Sequence, residues 1–231
     1  MRFPFHGTIT VLCLSLLLLC IPVAAYSTDA VAAYEKGNAL IATDNLTEAV
    51  NAYYRALTLE PGYYKAWNAR ADALNRDGKF SDALESSSKA ISLNSSYVEG
   101  WINRGQILYN IGYVYEFEKN DPAKANEYYL QQVQAFEKAI ALDPANADAW
   151  FNKAYALAGM KRYDEALAAF DKVKDLNPNY PKIDKNRQIA QQLKDAATPF
   201  YIIFAPVIVG IAAIAIGIAI WFFFLREKKE E

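Results

Sequence analysis

The chain has 231 residues, and its 24 Lys and Arg against 26 Asp and Glu leave a formal charge of −2. That balance excludes the strongly basic surface on which non-specific nucleic-acid binding depends. The only histidine is His6 and the only cysteines are Cys13 and Cys20.

Residues 1–25 read as an export signal. Arg2 gives a positive start, residues 8–23 are an apolar run containing LCLSLLLLC, and Val23-Ala24-Ala25 offers small residues for cleavage after Ala25. Cleavage would remove His6 and both cysteines, so the mature chain would have no imidazole or thiolate for metal binding or nucleophilic catalysis. Ser86, Ser87 and Ser88 have no such base to activate them, and no Gly-rich phosphate loop is present. The chain is therefore read as a non-enzyme, and no cofactor is implied.

Residues 26–29 form a lead-in. Four units follow, over about residues 30–63, 64–97, 98–146 and 147–180, each with apolar residues at helical spacing on either side of a break. Trp67 recurs as Trp101 34 residues later and as Trp150 83 residues later. Four residues after this position stand Gly37, Ala71, Gly105 and Ala154, small enough to let two helices approach closely. Ala49, Ala83 and Ala166 do the same from the second helix. The tryptophans, with Tyr53 and Phe170, are expected to fill the space between neighbouring hairpins. Pro61, Pro144 and Pro178 stop second helices. Asn45-Leu46-Thr47 and Asn94-Ser95-Ser96 are glycosylation sequons in predicted turns, at Asn45 and Asn94.

The third unit is longer. Leu108 and Phe136 are 28 residues apart, whereas their counterparts elsewhere are 13 apart. Divided between two helices, the 15 extra residues add about two turns to each and keep the helical phase. Asn120-Asp121-Pro122 supplies a turn, a cap and a proline at the first helical position. The hairpin should protrude by roughly 10 Å. Its Tyr109, Tyr113, Tyr115, Phe117, Tyr128 and Tyr129 form a candidate docking surface, or pack on one another to hold the longer hairpin.

Residues 181–197 read as a capping helix, with Ile183, Ala190 and Leu193 on its apolar side and Lys182, Lys185, Arg187 and Lys194 mostly outward. A membrane helix is expected over residues 199–225. Its uncharged core, from Ile202 to Leu225, would be roughly 36 Å long as a helix, against a hydrocarbon core of roughly 30 Å. Tyr201 and Trp221 suit the two interfaces. Arg226, Lys228 and Lys229 place the tail, residues 226–231, in the cytoplasm and the repeats outside the cell membrane. Gly210, Ala213 and Gly217 lie along one face, where small residues permit weak self-association.

The 34-residue period, with Trp, then Gly or Ala, then Ala-x3-Phe and a closing proline, resembles the tetratricopeptide repeat (TPR). The resemblance implies an all-α, right-handed solenoid of four hairpins, here with the capping helix and one transmembrane helix. It also implies a concave groove, lined by the first helices, that holds a protein or peptide partner. The groove positions carried over are Tyr34, Asn38, Asn68, Asp72, Ile102, Gln106, Phe151 and Tyr155, with Lys65, Glu99 and Asp148 one turn earlier. A subset of the family clamps C-terminal carboxylates with Lys and Asn. Here Tyr34 and Ala69 stand at two of those positions, which argues against capture of an acidic tail. Asn68, Asn103 and Asn152 fall one or two residues after a tryptophan, so they are not expected to face one way.

The expected function is a non-catalytic, membrane-anchored interaction scaffold that recruits or assembles envelope proteins. The alternatives are a permanent accessory subunit of a membrane complex and an exported glycan-binding protein.

Overall fold

The computed structural model describes residues 26–197, together with residues 206, 207 and 209–211. Among the described residues 26–197, nine α-helices follow one another: α1 (Thr28–Ala42), α2 (Leu46–Leu59), α3 (Tyr64–Arg76), α4 (Phe80–Leu93), α5 (Val98–Tyr113), α6 (Pro122–Leu142), α7 (Ala147–Gly159), α8 (Tyr163–Leu176) and α9 (Ile183–Ala197). A π-helical turn, Val114–Glu118, continues α5. There is no strand among the described residues. Helices pair as α1/α2, α3/α4, α5/α6 and α7/α8, each pair packs on the next, and α9 closes the array against α8.

Within a hairpin, a small residue on the first helix lies under a ring from the second. A Cβ on Gly37 would stand 2.4 Å from the Tyr53 ring, and one on Gly105 2.5 Å from the Phe136 ring. Tyr53 therefore fills space inside its own hairpin and also meets Ala73 of the next one, and Phe170 lies beside Ala154 of its own hairpin and against Ile183 and Ala190 of α9. The second hairpin has Ala71 and buried Ser87 in this layer, and Ile107 from α5 completes its core. Trp67, Trp101 and Trp150 are half-buried at the junctions between hairpins. The indole N–H of Trp67 donates to Pro61 O, that of Trp101 to Ser95 O and that of Trp150 to Pro144 O, at 2.8–2.9 Å.

The junctions follow from local chemistry. Glu60, Asp143 and Asn177 precede prolines, which disfavour helical backbone in the residue before them, and all three leave the helical region, with φ of −135° to −145° and ψ of 84° to 92°. Asn94 takes the same conformation without a proline and accepts from Ser96 N–H. Each hairpin turn has one residue in the left-handed region: Asp44, Gly78, Asn120 and Lys161. In the fourth hairpin this role falls to Lys161, whereas Gly159 ends α7.

These left-handed residues locate the insertion. They lie four residues after Leu40, Leu74 and Leu157, but twelve after Leu108. Eight extra residues are thus on the α5 side and seven on the α6 side. Seven are two helical turns, which restore the face. Gly112 stands seven after Gly105, Tyr129 stands seven before Phe136, and a Cβ on Gly112 would meet the Tyr129 ring at 2.5 Å. The eighth residue is absorbed where α5 widens into the π turn, with Lys119 N–H donating to Val114 O. Asp121 caps α6 by accepting from Lys124 N–H, and Pro122 is its first residue.

The N-terminal boundary is packed. Tyr26 stacks on Tyr63 at 3.9 Å, and Ser27 caps α1. At the other end Ile183 and Ala190 of α9 are buried, while Leu193, expected on the apolar side, is 45% exposed. Arg187 and Lys194, expected outward, pair with Asp171 and Asp164 of α8. Among the described residues no helix is long and apolar enough to cross a membrane. The signal expected at 1–25, most of 202–225, including Ala213 and Gly217, and the tail expected at 226–231 lie outside the described residues. Gly210 is described and exposed.

Alanine is a better helix former than glycine by roughly 1 kcal/mol. Gly105→Ala is nevertheless expected to destabilise the protein by about 1–3 kcal/mol, because the methyl meets a fully buried ring. Urea denaturation followed by circular dichroism measures it, and a stabilised variant would mean the helices stand farther apart than described. Deleting residues 109–116 and 124–130 together should leave a regular hairpin, since Asn120 then falls four residues after Leu108. The shortened chain should keep a cooperative thermal transition with native helicity. Loss of that transition would show that the insertion is not an independent extension.

Candidate functional site

The first helices lie side by side, α1 meeting α3 and α3 meeting α5. Their inner surface forms an open cleft of about 570 Å³. Asn38, Asn68, Asp72, Glu99, Ile102, Gln106 and Asp148 line it, seven of the eleven positions nominated from the repeat arithmetic. The other four go elsewhere. Tyr34 packs against Tyr53 and Tyr63, and Lys65 is exposed outside the cleft. Phe151 turns into the core against Phe170 and Tyr180, and Tyr155 lines a second cleft.

Tyr53, Asn103 and Asn152 also line this cleft. The Tyr53 hydroxyl donates to Asn38 Oδ1 at 2.9 Å, and burial pushes that phenol well above its usual range. A hydroxyl on this ring, where the third and fourth hairpins carry phenylalanine, was the sequence signal available. Asn68, Asn103 and Asn152, expected to diverge, converge here. Asn103 is 6% exposed, and its Nδ2 donates to both Asn68 O and Asn68 Oδ1. Seven residues on, Asn110 Nδ2 donates to Asn75 Oδ1 at 2.8 Å. The two contacts tie α3 to α5 by a polar ladder. Tyr97 abuts it, and burial, with Glu99 nearby, pushes its phenol up to about 12.

The second cleft, about 460 Å³, lies between the long hairpin, α7 and α9. Tyr109, Tyr113, Phe117 and Tyr129 form one wall, with Tyr155, Met160, Ile189 and Leu193 opposite. Tyr129 OH donates to Glu116 Oε2 at 2.7 Å; burial and this bond raise the phenol pKa. The six aromatics of the hairpin therefore divide. Tyr115 and Tyr128 stack on each other at 5.3 Å on the other side, against the core of the second hairpin. Lys119 and Lys124 cover the Tyr115 ring, and the Lys124 contact lowers that phenol's pKa.

Of the sequons, Asn45 is exposed in the α1–α2 turn, whereas Asn94 is half-buried with its Oδ1 engaged. Among the described residues no cluster of three or more His, Cys, Asp or Glu side chains could hold a metal ion. The groups on display are amides, carboxylates and phenols, which can pair with the backbone and side chains of an extended segment.

Comparison with known proteins agrees with this geometry. Residues 34–97 match one tetratricopeptide repeat model and residues 147–180 another. The chain thus carries tetratricopeptide repeats, and the lengthened third hairpin lies between the two matches. The human protein O-mannosyl-transferase TMTC3 is 33% identical over 45% of this chain and 10% of its own length. The STIP1 homolog of Dictyostelium discoideum is 29% identical over 68% of this chain and 29% of its own. The chain therefore spans less than a third of either relative. MamA from Desulfovibrio magneticus RS-1 superposes with a TM-score of 0.60 at 18% identity, over 74% of this chain and 88% of that one, a likeness of fold.

Asp72 gives the groove a measurable pH signature. Burial raises its carboxyl pKa, and Arg76 offsets part of the shift. The folded state then holds the proton more tightly than the unfolded chain, so ionisation costs stability. The cost is absent below the ordinary carboxylate value of roughly 4 and complete above the folded value. Asp72→Asn should therefore raise Tm at pH 7, with the gain disappearing as the solution is acidified below about 4. A variant less stable than the parent at pH 7 would show that a partner favours the Asp72 anion.

Proposed function

We propose that this protein is a non-catalytic interaction scaffold whose concave groove holds an extended segment of a protein partner. The observation that carries the reading is the convergence of amides and carboxylates from four successive first helices in one open cleft. A hydrogen-bonding groove of this length suits a peptide backbone better than a compact metabolite. Asn68 and Asn103 are already fixed by the ladder, so less side-chain entropy is lost when they are engaged.

The sequence at the two ends supports a location. Residues 1–25 act as an export signal, residues 199–225 cross the cytoplasmic membrane, and residues 226–231 remain inside. The repeats then sit outside, close to the bilayer, and recruit or assemble envelope proteins there.

A photo-reactive residue at Gln106, exposed in the groove, tests this in intact cells, with Lys138 on the outer side of α6 as the control. Discrete adducts are expected from position 106 and not from position 138. Adducts of equal yield at both positions, or at 138 alone, would overturn the groove reading.

A further inference from the structure

The polar groove and the aromatic cleft are two halves of one trough. They share α5 and α7 as walls: Gln106 and Asn152 line the first, Tyr109 and Tyr155 the second. Each pair is three residues apart, a rise of roughly 4.5 Å along the helix.

The charges in this trough all have one sign. Asp72, Glu99 and Asp148 line the polar half and Glu116 the aromatic half, and no described residue lining either half is a lysine or arginine. Nearby cations are turned away. Arg70 and Arg104 reach Ser86 and Ser88 of α4, and Lys153 pairs with Glu137 of α6. Lys119 and Lys124 lie over Tyr115 on the far side of the hairpin. The trough's own carboxylates meet neutral donors: Tyr180 OH for Asp148 and Tyr129 OH for Glu116. Arg76, beside Asp72, is bonded to Asp44. None of the ion pairs formed among the described residues uses the four carboxylates. A chain of nearly balanced charge thus presents an anionic concave face.

The aromatic half is exposed. Tyr109, Tyr113 and Phe117 follow one another along one face at 39%, 46% and 63% exposure, opposite Tyr155 at 57%. Ile189 and Leu193 of α9 extend the apolar surface. Contiguous exposure of this kind marks an interaction site. The ring faces are themselves electronegative, so they accept a cation as readily as an apolar side chain.

We propose that the trough selects a basic polypeptide segment, one that lays lysine or arginine side chains along Asp72, Glu99 and Asp148 and places an apolar side chain between Tyr113 and Tyr155. This rests on the groove reading above and names its partner by chemistry. Charge complementarity of this sort sets specificity and association rate, and it rejects an acidic tail by repulsion.

Fluorescence anisotropy on the full-length protein in a non-ionic detergent tests it with three labelled octapeptides. The first is Ser-Lys-Ser-Lys-Ser-Lys-Gly-Phe, the second has glutamate for lysine, and the third has serine for lysine. At about 0.1 M salt the lysine peptide should bind at least roughly tenfold more tightly than the glutamate peptide. Raising the salt to about 0.5 M should weaken the lysine peptide alone, a check that needs no variant. The triple variant Asp72→Asn, Glu99→Gln, Asp148→Asn, with native circular dichroism, should lose the preference. Equal binding of all three peptides, tighter binding of the glutamate peptide, salt-insensitive lysine binding, or a preference that survives neutralisation would each overturn the proposal. Should the serine and glutamate peptides bind as tightly as the lysine peptide and block crosslinking from position 106, charge selection fails while the groove reading stands. Binding of none also overturns charge selection, and crosslinking from position 106 then decides the groove by itself.

Discussion

The structure depends on how closely two antiparallel helices can approach when one of them has no side chain at the crossing. At Gly37 and Gly105 the opposing ring occupies the volume a methyl group would need. That contact fixes the separation of the hairpin, and the separation fixes which residues of the first helix remain free to face inward. A single hairpin leaves its outer apolar surface open, so stacking is obligatory and the core becomes a series of small clusters, each shared between neighbours. The groove is a by-product of this stacking: second helices take up the outer side, and first helices are left lining the inner one.

The inner surface is held by polar contacts above the apolar ones that join successive first helices. Asn103 on Asn68 and Asn110 on Asn75 link first helices 35 residues apart, one more than the repeat period. The ladder sets the spacing of the groups above it without filling the groove with side chains. The indole-to-carbonyl bonds perform the corresponding task at the outer ends of the junctions. A scaffold of this kind places its amides and carboxylates before any partner arrives, which reduces the entropy lost on association.

Much of this was legible in the sequence because the repeat converts position into environment. The start of each first helix, the small-residue layer, the proline stops and seven groove residues follow from counting. Counting failed where rings outside the repeat pattern pack on a groove position or where the period slips. Tyr34 packs on Tyr53 and Tyr63, beside Tyr26 of the lead-in. Phe151 has the capping segment over it, so Tyr180 draws it into the core. The convergence of Asn68 with Asn103 was hidden by the one-residue offset between α3 and α5. Leu193 satisfied the apolar pattern of α9, but it lines the open aromatic cleft. The six hairpin aromatics looked like one surface because sequence proximity does not show the side of a helical pair on which a ring emerges.

The π turn at Val114–Glu118 has a mechanical consequence. On an α-helix each residue advances the side-chain direction by roughly 100°. Two added turns leave the aim of the tip unchanged, whereas one further residue would rotate everything beyond it by that angle unless the coil widens locally. Here it widens, so Phe117 still emerges beside Tyr113, their rings 4.6 Å apart, and the far end of the hairpin remains pointed at α9. The hairpin thus behaves like a lever whose length and heading are set separately, length by whole pairs of turns and heading by a single residue at the widening.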